Sequence, residues 1–140
     1  MITKYQKGDA ALIYPQPMQE KEALEFATFF DTIEAYSLID ETSGAVAAVF
    51  GFRLDDNSIA EGFPLLSQIS IRYLRELVQF LKNFIPQKME EIGVKSLLVT
   101  VKKNFTAGKK FVSFLGFEHT AELPNFYGED DYQLFERRMK

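Results

Sequence analysis

The chain has 140 residues, 46% of them hydrophobic, and carries a formal charge of −4 with a sequence pI near 5.1. That length suits a single domain, residues 1–140, with a full core, and the acidic balance argues against a nucleic-acid partner. The chain holds no cysteine, which excludes a disulfide framework, a thiol nucleophile and a cysteine-ligated zinc site.

The opening stretch, Met1 to Asp9, is polar and charged and does not read as a secretory leader. No apolar run approaches the roughly 20 residues that a membrane-spanning helix needs, so the expected location is cytoplasmic. Ala10 to Tyr14 predicts a short strand, ended by Pro15 and Pro17. Leu24, Phe26, Ala27 and Phe30 then recur at helical spacing behind Glu20 and Glu22, and predict a helix over Met18 to Phe30. Ala35 to Asp40, Ala45 to Leu54 and Ser58 to Leu66 read as three strands joined by polar turns, an antiparallel meander.

A long amphipathic stripe follows: Ile71, Leu74, Leu77, Val78, Leu81, Ile85, Met89 and Ile92. Ser70 is placed to cap it and Gly93 to end it, while Pro86 is expected to kink or split it. Ser96 to Val101 is apolar on both faces, as a buried central strand is. A short helix over Phe105 to Leu115 ends at Gly116, and two closing strands follow at Glu118 to Leu123 and Tyr132 to Arg137. The strand–long helix–strand unit implies a right-handed crossover and one parallel pair in an otherwise antiparallel sheet. With helices on both faces, the expected architecture is a three-layer α/β/α sandwich.

From Ile92 onward the sequence resembles a known family. Ile92-Gly93 ends a helix, Ser96-Leu97-Leu98-Val99-Thr100-Val101 is an apolar strand, and Asn104-x-x-Ala107 leads through Phe111 to Leu115-Gly116-Phe117. This succession is similar to that of the GNAT N-acetyltransferases, and the order of elements before it resembles theirs too. The resemblance implies a mixed sheet whose parallel strands splay apart, with acetyl-CoA as cofactor. Its pantetheine arm would pair with the strand at Val99 and Val101, Asn104 would fix the start of the next helix, and Arg72 and Arg75 would meet the diphosphate.

Two features depart from that pattern. The family takes the CoA diphosphate on a glycine-rich helix start, where bare backbone approaches the oxygens. Here the matching stretch, Ser67 to Leu77, holds no glycine, and none occurs between Gly62 and Gly93. Weak or absent acetyl-CoA binding is the expectation. The tyrosine that many members use as general acid is replaced by Phe111 or Val112, according to which landmark is counted from, and neither donates a proton. An eroded phosphate loop on this topology also resembles acetyltransferase-like proteins of tailed phages, which would put the chain in host cytoplasm or a virion.

Acyl transfer to an amine needs a base to take the amine's proton. Glu61, on the strand before the long helix, where the resemblance implies a carboxylate, is the candidate, and its plainer reading is an exposed strand carboxylate. Tyr127 in the last connection could supply a hydroxyl or simply pack. His119 is the only histidine, too few for a histidine metal site. Two functions remain: N-acyl transfer from acetyl-CoA to a small-molecule or protein amine, or a non-catalytic scaffold that binds a protein partner or itself.

Overall fold

The computed structural model describes residues 2–13, 17–19, 21, 23, 28–56, 59–67 and 73–139. Its elements run β1 (Ile2–Lys4), β2 (Glu34–Ile39), β3 (Val46–Asp56), β4 (Ile59–Leu66), α1 (Leu74–Ile92), β5 (Ser96–Lys102), α2 (Thr106–Phe114), β6 (Glu118–Tyr127) and β7 (Asp130–Arg138). Three short 3₁₀ turns, Asp9–Leu12, Pro17–Gln19 and Phe29–Thr32, lie between β1 and β2. The seven strands form one sheet in the order β1-β2-β3-β4-β5-β7-β6. β4 and β5 run parallel, with Ile59, Ala60 and Glu61 opposite Ser96, Leu97 and Leu98. The pairs β1–β2, β2–β3, β5–β7 and β6–β7 are antiparallel. The expected α/β class with one parallel pair is the observed one.

The chain folds as two compact units, one of residues 1–53 and 62–74, the other of residues 54–61 and 75–140. The first unit has its core in Ala10, Ile13, Phe30, Ala35, Val46, Val49 and Leu65. Ala10 sits in a 3₁₀ turn and not in the expected strand. Asp9 explains the turn: its carboxylate accepts the Gln6 N–H at 2.9 Å and the Ser37 hydroxyl at 2.7 Å, which bends the chain back on itself. The strand that does form, β1, lies earlier and is only three residues long. Most of the helix expected over Met18 to Phe30 lies outside the described residues, although Lys21 and Ala23 are helical.

In the second unit α1 buries Leu77, Leu81, Ile85 and Met89, four residues apart on one face, as its stripe predicts. Pro86 neither splits nor ends it, and the helix runs unbroken to Ile92. Gly93 follows with φ +76°, and the Val94 N–H reaches back to the Met89 carbonyl at 3.0 Å, a left-handed closure suited to glycine. β5 alternates, with Leu97, Val99 and Val101 buried and Leu98, Thr100 and Lys102 half-buried. The burial expected on both of its faces is thus complete on one. α2 closes on Gly116, φ +90°, and the Arg137 guanidinium donates to the Leu115 carbonyl at that helix end.

Candidate active site

Parallel pairing places Glu61 beside Leu98, on the last of three rungs. Leu98 in turn stands opposite Glu136 of β7. Directly opposed residues share a face of the sheet, so Glu61, Leu98 and Glu136 form one row across three strands. Strands lie about 4.8 Å apart, which separates the two glutamates by about 10 Å at the backbone. Ser96, two residues before Leu98 and on the same face, donates its hydroxyl to Glu136, and Arg138 Nε adds a bond at 3.0 Å. The Ser96 hydrogen bond, reinforced by Arg138, holds the Glu136 carboxyl below its ordinary range. Glu61 itself is half-buried.

β5 keeps its ladder to β7 from Ser96 to Lys102, but its ladder to β4 covers Ser96 to Leu98 alone. Among the described residues the segment beyond Leu98 therefore carries a strand partner on one edge; Val99 and Val101 turn their own N–H and C=O toward β7, and Thr100 turns its pair toward the other edge. Val99 and Val101 are buried on the face that α2 covers, where Gly108 brings that helix within reach of the Val101 side chain.

Beyond β5, Phe105 takes the N-cap position of α2, and no side chain caps the helix. Asn104 stands one residue earlier, exposed, so the cap expected from it is not made. Phe111 and Val112, the two positions in the tyrosine slot, are both buried in α2. Tyr127 ends β6, with its ring 6.3 Å from that of Tyr132, and Tyr132 pairs with Lys102. Lys102 lies four residues beyond Leu98, about 13 Å of strand, so Glu61 and Tyr127 sit at different heights and form no dyad. Arg75 is exposed in the first turn of α1, whereas Arg72 and the rest of 68–72 lie outside the described residues. His119 is exposed, 3.4 Å from Glu122. Among the described residues no group of His, Asp and Glu is arranged to hold a metal.

Sequence reasoning missed Glu136 and Ser96, because only the register of β5 against β7 sets them beside Leu98. It also missed Gln19, a polar residue buried in the first unit. Each belongs to a pairing of residues 40 or more apart, and no local spacing announces such pairs.

Comparison of the whole architecture supplies what local motifs lack. The structure superposes on an IAA acetyltransferase from Bacillus cereus with a TM-score of 0.74, 99% of both chains and 12% identity. It matches the ribosomal-protein-S18-alanine N-acetyltransferase from Escherichia coli with a TM-score of 0.71, 100% of this chain, 94% of that one and 18% identity. This chain has the GNAT fold. A GNAT family acetyltransferase from Elizabethkingia anophelis, solved with acetyl-CoA bound, is similar too, at a TM-score of 0.70, 99% and 97% coverage and 17% identity. No protein-family model and no curated protein matches the sequence. The GNAT likeness thus resides in the order and pairing of elements, and residue identities contribute little to it.

Proposed function

We propose that the chain is a single-domain, acyl-CoA-dependent N-acyltransferase acting on an amine of a small molecule or protein. The observation that carries this reading is the short parallel ladder: it stops at Glu61 and Leu98, and the β5 backbone beyond it, where Thr100 turns its N–H and C=O away from β7, carries a strand partner on one edge among the described residues. An extended chain bearing amides, such as pantetheine, is the complement of such a backbone.

The chemistry assigned is direct transfer. The amine nitrogen attacks the thioester carbonyl carbon, the tetrahedral intermediate collapses, and the C–S bond breaks to give an amide and the CoA thiolate. Glu61 takes the amine's proton, directly or through a water. Glu136, kept ionised by Ser96 and Arg138, adds negative charge to the same face and draws a cationic amine toward it. Tyr127, at a different height from Glu61, is assigned a hydroxyl on the acceptor side and no part in the proton that Glu61 takes, and the CoA thiolate leaves as such. Asn104 lies at the turn that follows Val101, and Arg75, with Arg72, is assigned to the diphosphate. Without glycine between Gly62 and Gly93, few backbone donors can come close to that diphosphate, so the adenosine diphosphate half should add little affinity.

Titration with acetyl-CoA and with acetyl-pantetheine tests the reading. Similar affinities for the two support a strand-held cofactor with an eroded phosphate site. No heat with either sinks the acyltransferase reading and leaves a scaffold that binds other proteins. In an active preparation, Glu61→Gln should lower kcat by about 10²–10⁴-fold, the usual worth of a general base, with acetyl-CoA affinity unchanged. An unaltered kcat would remove Glu61 from the chemistry.

A further inference from the structure

A buried amide side chain is costly unless its donor and acceptor are both satisfied. Gln19, in the 3₁₀ turn Pro17–Gln19, is 5% exposed. Its Oε1 accepts the Leu66 N–H at 2.9 Å, and its Nε2 donates to the Pro64 carbonyl at 3.2 Å. Both partners are backbone groups of β4.

The edge they occupy follows from strand geometry. Successive residues of a strand turn their N–H and C=O groups to opposite edges. The Ser67 N–H bonds the Ala47 carbonyl of β3 at 2.9 Å. Leu66 and Pro64 therefore face the other edge, the one that ladders with β5 earlier in the strand, at Ile59 to Glu61. Pro64 has no N–H, so this stretch offers one carbonyl and one N–H, and a single amide meets both. Two successive secondary amides of an extended ligand, one offering its C=O and the next its N–H, present the same pair of groups to one edge.

We infer that Gln19 is an internal stand-in for the amide groups of an extended ligand, which closes the β4 edge at Pro64 and Leu66 until an acyl-CoA chain displaces it. The inference rests on the acyl-CoA reading above and adds a gate to it. Release of Gln19 also frees the turn that carries it, so cofactor entry and movement of Pro17–Gln19 are one event.

Gln19→Ala, and Gln19→Met, which keeps the volume but neither hydrogen bond, would be titrated with acetyl-CoA beside the wild type. Both should bind at least about tenfold tighter, because the binding-competent fraction is no longer reduced by the internal competitor. In the ligand-free variants the Leu66 amide should exchange faster, and acetyl-CoA should restore its protection. In the wild type, saturating acetyl-CoA should shift the Gln19 side-chain amide resonances to solvent-exposed values. Affinity equal to or below wild type in folded variants, or Gln19 resonances that stay put on saturation, overturns the gate while leaving the acyl-CoA reading intact. Absence of acetyl-CoA binding in all three proteins removes the reading and the gate together.

Discussion

At the scale of single residues, magnitudes decide the sign of substitution effects. Gly108 lies within α2, where Gly→Ala ordinarily gains about 1 kcal/mol. A Cβ there would meet the Phe105 ring at 2.6 Å and Val101 Cγ1 at 3.1 Å. Overpacking of this kind costs about 1–3 kcal/mol, so Gly108→Ala should lower the melting temperature where propensity alone predicts a rise. Ser96 offers a pH test. The folded Glu136 carboxyl titrates below its unfolded value, so it stabilises the fold above that unfolded value, and the contribution is lost as pH falls through the folded one. Ser96→Ala should raise the Glu136 pKa in an NMR titration and shrink the acid-side loss of stability. An unmoved pKa would assign the shift to Arg138. Neither residue is legible in the sequence as part of a site, since a Glu in a closing strand has no local mark. Glu61 is legible as a candidate only through the family resemblance, which implies a carboxylate on that strand.

Elements are most legible where periodicity runs long. The four buried positions of α1 and the alternation of β5 follow directly from spacing, and both helix-ending glycines take the left-handed φ that their place implies. Short elements are not: three residues of β1 carry too little pattern, and Ala10 to Ile13 has the composition of a strand while tertiary bonds through Asp9 decide its turn. Two predictions belong here. Leu97 is 2% exposed, so Leu97→Ala should cost about 2–5 kcal/mol in denaturant melts, with half-buried Leu98→Ala costing about half as much. Equal costs would contradict the observed alternation. Pro86 lies inside α1, a position unfavourable by about 3 kcal/mol relative to alanine. Pro86→Ala should therefore raise thermal stability, and a fall would mean that the ring packs where alanine cannot.

For the whole molecule, element order is legible and strand neighbourhood only partly so. Hairpins and the crossover follow from connection lengths, whereas the place of β7 between β5 and β6 does not, because sequence adjacency favours β5 beside β6. That place has a kinetic consequence. β6 has no site on the sheet until β7 is seated, so the two cannot be added in chain order. The Glu118–Arg138 hairpin, closed at Tyr127 opposite Asp130, can form by itself in about 1–10 μs. It must then dock as a two-stranded ribbon along Ser96 to Lys102, a pairing that spans 30 to 42 residues and carries the larger loop-closure entropy. Refolding of the second unit should thus be limited by ribbon docking. Loosening the turn around Gly128 should slow refolding more than it speeds unfolding, whereas weakening β6 at its outer edge should do the reverse.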